Sequence, residues 1–162
     1  METQTTVSRP LISASELLNH WQGHRNLTRR VIELFPEKEL FEFSIGEMRP
    51  FYKMAVELLA IAAPGLKEIV TGINIPFKED SESFKTKAQI LAHWDESTEE
   101  INKYWSFLSE EKFHETNNLF GQYNFPVIQN ILYFIDNEIH HRGQGYVYLR
   151  ALGIEPPFFW ER

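Results

Sequence analysis

PVIQNILYFIDNEIHHRGQGYVYLRAL, Pro126 to Leu152, is the stretch whose periodicity decides the fold. Phe134, Asn137, His141, Tyr148 and Leu152 recur at steps of three, four, seven and four, so they share one face of a helix. Pro126 opens the segment where a first turn tolerates proline, and Gly153 stands just past its end. Ile128, Ile131, Leu132, Ile135 and Ile139 widen the apolar surface beyond a single stripe. A helix apolar on more than one side has to be covered twice, which predicts a homodimer unless the C-terminal tail supplies the second cover. Gly143 and Gly145 each cost about 1 kcal/mol against alanine, and close packing of a neighbouring helix would offset that cost.

Three more amphipathic segments precede this one. Ser13-Ala14-Ser15-Glu16 has the form of a capping box. From it runs a stripe of Leu17, His20, His24, Leu27, Val31 and Leu34, ending near Phe35-Pro36. Residues 36–49 connect. A second helix becomes regular around Pro50 and continues through Met54, Val56, Leu58, Leu59 and Ile61, with a kink or break expected at Pro64 and an end at Gly72. Residues 73–85 read as a crossover loop. Thr86-Lys87-Ala88-Gln89 then caps a third helix, whose stripe is Ile90/Leu91, Trp94, Ile101, Trp105 and Leu108. Residues 109–125, with Gly121 and several Asn, read as a loop. Ile154 to Trp160 reads as an extended strap over the bundle. No convincing alternating strand appears. The pattern predicts an all-α four-helix bundle, with a lead-in over 1–12 and one domain over 13–162.

Composition narrows the function classes. Sixteen basic against twenty-three acidic residues leave a net charge of −7, so neither nucleic acid nor an anionic membrane is an expected partner. No segment approaches the roughly 20 apolar residues that cross a bilayer, and a cytoplasmic location is the expectation. The chain has no cysteine, so a site must be built from His, carboxylate, amide or hydroxyl groups.

Asn137 and His141 lie one turn apart and point the same way, the spacing with which two helical side chains meet one metal ion. Glu138 forms a Glu-x-x-His pair with His141, while His140 lies about 100° round the helix. His20 and His24 repeat the one-turn spacing on the first helix. A histidine on an apolar stripe is more often a hydrogen-bonded core residue than a ligand, and that reading leads for both. His93 falls off its stripe among charged residues, and His114 carries no signal of its own. No Gly-rich phosphate loop, nucleophile elbow or His-Glu-x-x-His motif is present.

Taken in order, His20-Trp21-Gln22-Gly23-His24-Arg25, Ser44-Ile45-Gly46-Glu47-Met48, His141-Arg142-Gly143-Gln144 and Tyr148-Leu149-Arg150-Ala151-Leu152-Gly153 resemble the DinB-like superfamily of small bacterial four-helix bundles over about residues 13–157. The resemblance implies a divalent metal, zinc or nickel, held by three histidines: one on the second helix and two on the fourth. His141 matches the last of these. Asn137 stands in place of the second, and the first is expected near Phe51 or Tyr52, where no histidine exists. Three readings follow. In the first, a small-molecule pocket surrounds His141 and metal binding is weakened or absent. In the second, the chain is a metal-dependent enzyme of thiol S-transferase or hydrolase type, its site rebuilt from His141, His24, His20 and Asn137. A low-molecular-weight thiol enters that second reading by family analogy alone. A third, purely structural reading treats Asn137 and His141 as a buried hydrogen-bond pair.

Overall fold

The computed structural model describes residues 10–162. Most of the lead-in lies outside the described residues. Among the described residues five α-helices form: α1 (Ala14–Leu34), α2 (Glu37–Glu42), α3 (Phe51–Thr71), α4 (Lys87–Trp105) and α5 (Val127–Ala151). The four long ones form the bundle, and α2 is a short turn of helix beside α3. The strands β1 (Thr116–Leu119) and β2 (Tyr123–Pro126) form a small antiparallel hairpin before α5.

Both capping boxes form. The Ser13 hydroxyl accepts the Glu16 N–H while Glu16 accepts that of Ser13, and Thr86 and Gln89 make the same exchange. The buried face of α1 is turned relative to the expected stripe. Trp21, Arg25, Thr28 and Ile32 are buried, whereas His20 and Leu34 are exposed. The large Trp21 ring, fully buried against Phe134 and Trp105, draws its own side of the helix inward.

Of the kink or break expected at Pro64, no break occurs: α3 runs through the proline to Thr71, with Gly72 as its cap. Ala62, Ala63, Gly65 and Leu66 are all buried around that proline. Their packing outweighs the roughly 3 kcal/mol that an interior proline costs. Gly72 closes the helix at φ 69°, its N–H bonded to the Glu68 carbonyl at 2.8 Å.

The loop expected over 109–125 is instead a 3₁₀ turn, Glu111–His114, followed by the hairpin. Phe120 and Gly121 at the bend have φ of 54° and 69°. Two successive positive φ values match the twist of a tight hairpin. Strands this short and polar carry too little alternation to register as a pattern.

Gly145 allows the close approach expected of it, since a Cβ there would lie 2.6 Å from the Phe51 ring. Gly143 does not share that role and faces open space. The tail runs across α1, where Arg30 binds both the carbonyl and the carboxylate of Glu161. Its aromatic rings point outward rather than covering the bundle: Phe158, Phe159 and Trp160 stay more than half exposed. Among the described residues, no helix is long and apolar enough to cross a membrane.

Candidate functional site

The polar groups of α5 divide between two neighbours. Successive residues on a helix diverge by about 100°, so His141 and Arg142 cannot face the same helix. His141 and Asn137 turn toward α3, and Glu138 and Arg142 turn toward α1.

On the α3 side the meeting point is Glu57. Its Oε1 lies 3.1 Å from His141 Nε2 and accepts the Asn137 Nδ2–H at 3.3 Å. Arg49, just ahead of α3, forms a close ion pair with the other carboxylate oxygen and reaches Glu79 at 3.5 Å. The backbone of Arg49 is itself anchored, its carbonyl accepting the Tyr148 hydroxyl at 2.9 Å. Three donors thus converge on one carboxylate. The hydrogen bond from His141, reinforced by Arg49, outweighs the cost of burial and brings the Glu57 carboxyl down to about 2. His141 is buried, and its Nδ1 has no partner among the described residues.

Glu57 was not singled out in the sequence, although a signal existed: it is the one charged residue within the otherwise apolar run from Met54 to Gly65. The positions expected to matter on this helix are structural instead. Phe51 is fully buried, stacked on Phe35 at 4.9 Å and packed against Gly145. The Tyr52 ring lies against Phe41.

On the α1 side Arg25, Thr28, Glu138, Arg142 and His24 are buried and largely paired with one another, although Arg25 Nη1 has no hydrogen-bond partner among the described residues. Glu138 accepts the Thr28 hydroxyl at 2.6 Å and sits 3.8 Å from Arg25, whose guanidinium lies over the Trp94 ring at 4.3 Å. Burial pushes the Glu138 carboxyl up, against the opposing pull of Arg25. Arg142 donates to the His24 carbonyl at 3.1 Å and to His24 Nδ1 at 2.9 Å. His24 Nε2 lies 3.2 Å from His20 Nε2 and 3.1 Å from an Arg162 nitrogen. Burial, with the positive charge of Arg142 beside it, lowers His24 to about 3, so the imidazole is neutral.

The four residues expected around a metal therefore fall into two sets: His141 and Asn137 with Glu57, and His20 and His24 with Arg142 and Arg162. Neither set fits a divalent ion well. The Glu57 carboxylate is already neutralised by Arg49, Asn137 turns its NH₂ toward it, and His24 faces two guanidinium groups. Among the described residues, no cluster of three or more His, Cys, Asp or Glu is placed to hold a metal.

A cavity of about 200 Å³ opens from Glu57, lined also by Ile61, Phe77, Glu79, Phe120 and Tyr133. Its walls are tied down by Glu68, a buried carboxylate of α3. One oxygen accepts the Ile75 N–H at 2.7 Å and the other the Phe120 N–H at 2.8 Å. This pair of bonds joins the crossover loop and the hairpin bend to the bundle and holds Phe120 in its left-handed conformation. Larger clefts lie beside Leu11 and Leu132 and beneath the tail, away from Glu57.

The family model for the DinB family matches residues 1–161. Among solved structures, a DinB-like protein from Bacillus subtilis is similar, with a TM-score of 0.74 and 22% identity over 91% of this chain and 99% of that one. A DinB-like protein from Bacillus cereus gives a TM-score of 0.73 and 16% identity over 90% and 97%. A mutant of a mycothiol-dependent maleylpyruvate isomerase gives 0.62 and 18%, over 81% of this chain and 60% of that one. At these identities the likeness is one of fold. No curated protein matches the chain.

Proposed function

The chain belongs to the DinB family, and on that premise we propose that it is a small-molecule-binding member in which protein groups have taken over the role of the metal. The observation that carries this is the convergence of Arg49, Asn137 and His141 on Glu57. A divalent ion neutralises and orients the carboxylate that it binds. Here Arg49 neutralises Glu57, and Asn137 and His141 fix its orientation. The cavity leading from Glu57 is where a ligand enters. Thiol chemistry of the kind named for the mycothiol-dependent relative is not carried over, because the donor set does not suit the metal on which such a reading depends.

Metal analysis of untagged protein, beside the His141→Ala variant, tests this reading. The expected result is less than about one tenth of an equivalent of zinc or nickel in either protein. One equivalent in the parent that disappears in the variant would establish the competing reading, a metal-dependent enzyme with His141 as ligand.

The outward side of α5 supports homodimerisation as part of the same proposal. Leu132, Ile139 and Val147 are partly or largely exposed along it, and Gly143 between them leaves open space. Light scattering is expected to give twice the chain mass, and Ile139→Lys to give the single mass. A single mass for the unaltered protein contradicts the dimer.

A further inference from the structure

The cavity beside Glu57 has an unusual wall. Phe77 comes from the crossover loop, Phe120 and Tyr123 from the hairpin, and Tyr133 from α5. The rings form two pairs, Phe77 with Phe120 at 5.6 Å and Tyr123 with Tyr133 at 6.2 Å. Phe77, Tyr123 and Tyr133 remain 40–43% exposed, so much of their surface is left for something else to cover. Burial, with Tyr123 and Glu57 nearby, raises the Tyr133 phenol above its ordinary value and keeps that ring neutral.

The charge at the cavity has a definite sign. Glu57 and Glu79 both line it, and Arg49 bridges them. One guanidinium against two carboxylates leaves a unit of negative charge, with Glu79 the more exposed of the pair. Aromatic faces and an unbalanced carboxylate attract the same class of ligand, because the ring quadrupole and the carboxylate both favour a positive charge. The size of the cavity suits a head group rather than a drug-sized molecule.

Resting on the ligand-pocket reading above, we infer that this cavity takes an organic cation, a quaternary or alkylated ammonium group seated among Phe77, Phe120, Tyr123 and Tyr133 with Glu79 as counter-charge. Tyr133 and Phe120 are the specificity-determining rings. Glu68 is a positioning residue, acting through the loop and bend that it anchors.

Amide chemical shifts of the intact protein at pH 8, where an imidazole is ordinarily neutral, test the inference with three probes. These are choline, its neutral carbon isostere 3,3-dimethylbutan-1-ol, and propionate. Choline is expected to shift the Phe120, Tyr123 and Tyr133 amides saturably and to bind at least tenfold more tightly than the isostere. Glu79→Gln, a change on an exposed loop, should weaken choline at least threefold and leave the isostere unaffected. Tyr133→Leu should weaken choline while the rest of the spectrum stays folded. Equal binding of choline and the isostere overturns the cation inference and leaves the pocket standing. Preference for propionate overturns it too, in favour of Arg49 as the anchor. No shift at these amides with any probe overturns both the inference and the ligand pocket.

Discussion

His24 and His141 belong to helices that pack together, yet their surroundings assign them different tasks. His141 donates to a carboxylate held at about 2, whereas His24 accepts from a guanidinium and is itself held at about 3. The acid response of the protein follows from these values. Below the ordinary histidine value of 6.5 the unfolded chain takes a proton at His24 that the folded chain refuses until about 3. The fold therefore loses stability as pH falls through that window. Glu57 acts in the same direction at lower pH: its contribution is intact above 4.5 and is lost as pH falls between 4.5 and about 2. Denaturation midpoints at pH 7.5, 6 and 5 isolate the histidine. The unaltered protein should weaken steadily across them, and His24→Gln should be flatter. Parallel slopes would show that His24 is not the titrating group. The spacing of Asn137 and His141 was legible in the sequence because helical geometry fixes it. Glu57 was not, because its importance comes from packing between helices distant in the chain.

At the scale of elements, the four long helices and both capping boxes could be read from periodicity and local chemistry. The hairpin could not, since its residues hold their shape through the Glu68 carboxylate, 52 positions from Phe120. The two glycines of α5 show the same division. Both looked like sites of close packing, but only Gly145 touches a neighbour. Gly143→Ala should raise stability by about 1 kcal/mol through helix propensity alone. Gly145→Ala should lower it by roughly 1–3 kcal/mol, because the Phe51 ring is stacked and cannot withdraw. Urea unfolding of the two variants gives the comparison. Changes of the same sign would mean that helix propensity rather than contact governs both positions.

At the scale of the whole molecule, the bundle places three donors, one just ahead of α3 and two from α5, around one carboxylate and opens a cavity beside it. Family membership and an all-α bundle were both legible, through the His-Arg-Gly-Gln stretch and the long amphipathic segments. The partner of His141 was not legible, because the family pattern directs attention to histidines and this chain uses Glu57 with Arg49. The central claim is that Arg49 holds the charge that a metal would otherwise bring to Glu57. A calorimetric titration of zinc into the unaltered protein and into Arg49→Gln, side by side, tests it most directly. Weak uptake is expected for the former and at least tenfold tighter binding for the variant, about 1.4 kcal/mol, since removing the guanidinium frees the carboxylate beside His141. Tight, stoichiometric zinc binding by the unaltered protein, unchanged by Arg49→Gln, would contradict it.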